Sequence, residues 1–194
     1  MTQERSTRVI LCPNSTDRHI ILLGRHLEKI GARVSYFEWF GGFAPYWMAK
    51  LALLRIQGNR VLSVHWTPFD SWTRMRIARI LCRALGIKMV LTVHNLVPHD
   101  VRFGSESKDK EAMLFLSEWS DAIVVHSDVT KRDVENLYGQ TEDKISVIPL
   151  ASYTEMIKIS ENPDRARERL GLPMNKVLVF MLSPCRKDKG LNTY

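Results

Sequence analysis

The sequence predicts an α/β fold: a Rossmann-like parallel sheet with helices on both faces. Three observations carry that prediction. Short Val- and Ile-rich runs recur along the chain, separated by segments with helical spacing of apolar residues. Several of these runs are continuously apolar rather than alternating, as strands buried on both faces must be. Helix start and stop residues punctuate the intervening segments. Alternating strands and helices of this kind build a parallel sheet covered by helices.

The expected strands are 8–12, 33–38, 60–64, 88–93, 122–126, 144–148 and 176–182. After the first, Thr16 is placed to cap a helix carrying Ile20, Leu23, Leu27 and Ile30 on one face, with Gly31 as its stop. Residues 40–54 hold Phe43, Tyr46, Trp47 and Lys50, with Trp39 just before them. Residues 70–86 read as a basic amphipathic helix. Ile77, Leu81 and Leu85 form its apolar stripe, and Arg76, Arg79 and Arg83 lie on another face. Trp66, Phe69 and Trp72 sit at or before its start. Ser127 is placed to cap a helix with Thr130, Val134 and Leu137, stopped by Gly139. Asn162 and Pro163 open another, which Gly171 ends, with Pro173 just beyond.

Composition narrows the function classes. The formal net charge is +7, from 28 Lys and Arg against 21 Asp and Glu, which points to an anionic partner. No recognised nucleic-acid module accompanies that charge, so nucleic acid is not the expected partner. Aromatic and arginine-rich segments such as Trp47, Trp72, Arg76, Arg79 and Arg83 suit binding in the plane of an anionic membrane. No apolar run is long enough to span a bilayer, and the first residues are polar. Cys12, Cys82 and Cys185 are odd in number and widely spaced, as reduced buried thiols are. The expected location is therefore cytoplasmic, peripheral at the inner face of the membrane.

The polar chemistry gathers at strand ends. The run 90–93 stops at His94 and Asn95, with His99 and Asp100 following. His65 ends another strand, and His126 with Ser127 a third. Open parallel sheets keep their ligand crevice at the carboxyl ends of the strands, so three histidines along that edge predict a polar crevice. His94 is the leading catalytic candidate, because an imidazole near neutral pKa exchanges hydrogen bonds with sugar hydroxyls and phosphates. His94 and His99 lack a third convincing ligand, so no metal site is expected. Asn14, Ser15 and Thr16 supply polar groups to the first β–α turn. That turn lacks the glycines of a dinucleotide fingerprint, which counts against an NAD enzyme. No hydrolase triad or nucleophile elbow is present.

These segments together resemble the N-terminal half of bacterial family 4 glycosyltransferases of the GT-B fold. His65-Trp66 resembles the family's HW strand end, and 92–99 its TVHN-x-x-PH motif. Residues 121–127 resemble its D-A-I-I-V-H-S strand, 144–150 its K-I-x-V-I-P segment, and 180–190 the opening of its C-terminal domain. The resemblance implies two Rossmann-like domains around a cleft, an acceptor on the N-terminal side and a nucleotide sugar on the other. It implies a retaining transfer that needs no metal and no cofactor beyond the nucleotide-sugar substrate. By that resemblance His94 contacts the donor sugar, while Arg186 and Lys189 hold the donor diphosphate. The acceptor side comprises Asn14, Ser15, Thr16, His65, Asn95, His99, His126 and Ser127. Ser183 and Pro184 stand where the family's donor loop often begins with glycine and arginine.

The expected domains are 1–172, an acceptor-side Rossmann-like domain, and 173–194, the start of a truncated donor-binding domain. On that reading the fragment itself is inactive and the full-length protein transfers sugar to a lipid-linked or polysaccharide acceptor. The alternative is a non-catalytic sugar- or partner-binding module on a degenerate glycosyltransferase fold.

Overall fold

The computed structural model describes residues 6–13, 17–39, 44–65, 69, 71–96, 103–150 and 161–179. Strands β1 (Arg8–Cys12), β2 (Arg33–Tyr36), β3 (Val61–His65), β4 (Lys88–Thr92), β5 (Ala122–Val125) and β6 (Ile145–Val147) form one sheet. All pairings are parallel, and the order is β2-β1-β3-β4-β5-β6. The chain runs one way from β1 to β2 and then the other way from β3 onward. The reversal leaves a switch point between β1 and β3, where a doubly wound sheet opens its crevice.

Helices α1 (Arg18–Lys29), α2 (Ala44–Ile56), α3 (Trp72–Ala84), α4 (Glu106–Trp119) and α5 (Asp128–Tyr138) join successive strands. Right-handed crossovers divide them between the two faces. Alternate residues of β1 show the division. Val9 and Leu11 pack with Ile20, Leu23 and Leu27 of α1 and with Val34 and Tyr36. Ile10 and Cys12 join the larger cluster, to which α2, α3, α4 and α5 contribute. That cluster holds an aromatic group: Trp39 lies 4.7 Å from Phe37 and 5.0 Å from both Trp47 and Phe69, by ring centroids. Phe69 in turn lies 6.3 Å from Trp119.

Local contacts tie the elements together. Asp121 accepts a hydrogen bond from the Met89 amide at 2.9 Å and pairs with Lys88 at 2.7 Å, which fixes the start of β4 beside β5. Arg55 Nε donates to the Leu85 carbonyl at 2.7 Å and joins the end of α2 to the end of α3. Gly24 is buried on α1 because a Cβ there would run into the Tyr36 hydroxyl and lie 3.5 Å from Leu11. Ser127 caps α5, its Oγ accepting from the Thr130 amide at 3.2 Å, and Gly139 ends the helix in the left-handed region.

Several expectations need correction. The described cap of α1 is Asp17, whose carboxylate accepts from the His19 and Ile20 amides at 2.8 and 3.2 Å. Thr16 lies outside the described residues. The buried positions of α1 are Ile20, Leu22 and Gly24, while Ile30 is 79% exposed. On α3 the buried face is Met75, Ala78 and Cys82; Ile77, Leu81 and Leu85 pack only partly against the core. Trp47 is 2% exposed and belongs to the core, so it offers nothing to a membrane. Trp72 is partly buried against the same core. The sequence reading singled out no helix at 106–119, yet α4 forms there, capped by Ser105. Of the expected seventh strand, residues 176–179 are described and are not in a strand; Val177 and Val179 are more than 90% exposed. A strand is held by its neighbours, and among the described residues none lies beside this segment in a sheet.

The chain divides into two compact units, Met1–Leu150 and Ala151–Tyr194. The first contains the sheet. Within the described part of the second, helix α6 (Pro163–Leu170) opens at Asn162, whose side chain accepts from the Asp164 amide at 2.8 Å, and ends at Gly171. The punctuation at Pro173 therefore lies within the second unit.

Candidate active site

Strand parity explains how the site assembles. Val61, Ser63 and His65 lie on one face of β3, and the same alternation carries Val90 and Thr92 to His94, and Ala122 and Val124 to His126. Parallel register sets β3, β4 and β5 side by side, with His65 beside Thr92 and Thr92 beside Val124. The three imidazoles therefore emerge in a row at the carboxyl edge.

They are hydrogen-bonded to one another. His65 Nδ1 is 3.2 Å from His94 Nε2, and His94 Nδ1 is 3.3 Å from His126 Nε2. Ser63 Oγ lies 3.2 Å from His65 Nε2, and His126 Nδ1 lies 2.8 Å from the Ile148 carbonyl. A carbonyl only accepts, so His126 carries its proton on Nδ1. For neutral rings the rest follows. His94 Nδ1–H donates to His126 Nε2, His65 Nδ1–H donates to His94 Nε2, and the Ser63 hydroxyl donates to His65 Nε2. One backbone carbonyl thus sets the tautomer of the whole row.

Electrostatics keeps His65 and His94 neutral. His65 is 3% exposed, and burial followed by its histidine neighbours pushes its pKa down to about 3. Burial, then His19 and His126, lowers His94 to about 4. His19 is also lowered, chiefly by burial, with Asp17 acting in the opposite direction. At neutral pH His19, His65 and His94 each offer one donor and one acceptor and no charge.

His19 is the site residue that the sequence reading missed. The Asp17 cap starts α1 so that His19 stands on its first turn. Its ring meets His94 edge-on at 5.0 Å and His65 at 5.3 Å between centroids. One ring nitrogen from each of His19, His65 and His94 lies within 4.8 Å of the others. The expectation of no metal site weighed His94 with His99, which lies outside the described residues; among the described residues His19 and His65 stand beside His94. A histidine soon after the first strand of an α/β chain was the available signal.

Asn95 sits half-buried next to His94. Ser127 Oγ serves the α5 cap and lies 3.0 Å from Thr130 Oγ1. The Tyr138 hydroxyl donates to the Leu96 carbonyl and anchors the segment after β4 to α5. Asn14, Ser15, Thr16, His99, Arg186 and Lys189 all lie outside the described residues. Arg76 and Arg83 are exposed on α3. Arg79 is half-buried, with its guanidinium 4.9 Å from the Phe115 ring centroid, so part of its function is packing.

Two comparisons with known proteins bear on this arrangement. A D-inositol 3-phosphate glycosyltransferase from Acidothermus cellulolyticus is 26% identical over 127 residues, which cover 61% of this chain. The match spans 28% of that relative's length. The model of the family described as Glycosyltransferase Family 4 matches residues 7–151, well over half of the chain and nearly all of the sheet-bearing unit. The chain accordingly belongs to Glycosyltransferase Family 4.

Proposed function

We propose that this chain supplies the acceptor-side domain of a nucleotide-sugar-dependent, retaining glycosyltransferase. Its acceptor is lipid-linked or polysaccharide, at the cytoplasmic face of the membrane. The observation that carries the reading is the row His65–His94–His126 at the carboxyl edge of a sheet whose family transfers sugars. In this reading Arg186 and Lys189 hold the donor diphosphate and stabilise its departure. His94 then faces the sugar at the moment when positive charge builds at its anomeric carbon. A neutral ring does not repel that charge, whereas an imidazolium would. The row also holds the ring's orientation, since both of its nitrogens are bonded.

The membrane part of the reading rests on α2 and α3, joined at Arg55 and Leu85. Tyr46, Leu53 and Ile56 of α2 are at least half exposed, as is Ile80 of α3, near the exposed Arg76 and Arg83. This is an apolar and basic surface of the kind that seats at an anionic interface. No helix among the described residues is long and apolar enough to cross a membrane.

The test is transfer of label from nucleotide sugars by the full-length protein containing this chain. Acceptors would be membrane lipid extract, polysaccharide and a phosphorylated polyol, the last because the relative is named for D-inositol 3-phosphate. His94→Ala is expected to lower turnover by about 10²–10⁴-fold. Transfer unchanged by that substitution would overturn the role of His94, and no transfer from any donor would overturn the enzyme reading.

A further inference from the structure

We propose that His19, His65 and His94 form a binding site for a borderline divalent transition-metal cation, with Zn2+ as the type case. Nothing in the transfer reading requires such an ion, and the inference stands independently of it.

The geometry comes first. One nitrogen from each ring lies within 4.8 Å of the others, and all three rings are buried or half-buried. His65 Nδ1 and His94 Nε2 are 3.2 Å apart. Two nitrogens on a tetrahedral zinc, each about 2.05 Å from the metal, are roughly 3.3 Å apart, so this pair already stands at the separation of two ligands. His19 meets both rings edge-on, at interplanar angles of 64° and 88°, and one of its nitrogens lies within 4.8 Å of theirs. Three imidazoles suit zinc, nickel, cobalt and copper, and they leave a fourth position for water or a ligand.

The surroundings fit as well. A metal-bound histidine almost always donates its other N–H to a neighbour that orients it. His94 already has that arrangement, because its Nδ1–H donates to His126, which is held in turn by the Ile148 carbonyl. His65 has a partner for its other nitrogen in Ser63 Oγ. Metal binding needs a single proton shift: His65 carries its proton on Nε2, donating to Ser63 Oγ, and Nδ1 turns its lone pair to the metal. No proton leaves the row. Asp17, close enough to act electrostatically on both His19 and His94, places a negative charge beside the cation.

The experiment is a cobalt titration of the chain prepared metal-free with a chelator. Tetrahedral Co2+ on imidazoles gives visible d–d bands; these are expected to saturate at one equivalent and to vanish when Zn2+ is added. His19→Ala and His65→Ala should each weaken binding at least tenfold. Ser63→Ala should weaken it about tenfold through loss of the orienting bond. His26→Ala is the control, because His26 Nδ1 bonds the Leu22 carbonyl on α1, and binding should be unchanged. In the wild-type chain, which requires no variant to fold, ¹⁵N spectra of the imidazoles should show His65 Nδ1 moving to a metal-bound shift with Zn2+. Absence of d–d bands, or ring nitrogens unmoved by Zn2+, would overturn the proposal, as would binding unaffected by both alanine variants. Transfer activity is not a readout, so failure here leaves the glycosyltransferase reading untouched, and the converse holds.

Discussion

Tyr138 shows how one atom supports the crevice. Its hydroxyl donates to the carbonyl of Leu96, two residues beyond His94, from a side chain only 6% exposed. Burial raises its pKa to about 12, so it remains a donor at any physiological pH. Tyr138→Phe keeps the ring's packing and removes the bond. The expected cost is about 1 kcal/mol, seen as a lower urea midpoint with an unchanged slope. The residue scale was only partly legible in the sequence. His65, His94 and His126 each end an apolar run, and termination of a run is a local signal. His19 reaches them through the first turn of α1, and a contact made by folding leaves no periodic trace. The direction of the hydrogen-bonded row depends on Ile148, 22 residues beyond His126, and no motif carries that information.

Among the elements, strands were read well and helix faces poorly. All six strands were located to within two residues at either end. A strand buried on both faces needs no choice of side. Helix α2 does need one, and its sequence APYWMAKLALLRI is apolar nearly all round, so nothing local marks Trp47 as inside and Tyr46 as outside. On α3 the eye follows Ile77, Leu81 and Leu85, yet the core takes Met75, Ala78 and Cys82, about a quarter turn away. Ala and Cys are small enough to let the helix approach the sheet closely, and large side chains then flank the contact. The prediction at this scale contrasts two side chains once grouped as a membrane surface. Trp47→Ala should cost about 3–5 kcal/mol by emptying a packed core site, whereas Arg76→Ala should stay within about 0.5 kcal/mol. Denaturant unfolding of the two variants measures both; a mild effect at Trp47 would contradict its place in the core.

For the chain as a whole, charge is the property that matters. A net +7 attracts anionic surfaces at long range, and the exposed Arg76 and Arg83 direct that attraction locally. Replacing both with glutamate removes two contacts of about 1 kcal/mol each, so affinity for phosphatidylserine vesicles should fall roughly thirtyfold or more. Co-sedimentation at low salt measures this, and binding equal to wild type would sink the membrane claim. Arg79 is left out of the test because its ring contact with Phe115 would confuse loss of charge with loss of packing.

The aromatic cluster beneath α2 and α3 has an optical consequence. Trp39, Trp47 and Trp119 are buried there, Trp72 packs against the same core, and the cluster under α1 has no tryptophan. Tryptophan emission from these four side chains therefore reports one face of the sheet. If α1 detached locally and carried His19 away from the row, these four fluorophores would register little. Amide exchange at Ile20 and Leu22 would register it fully.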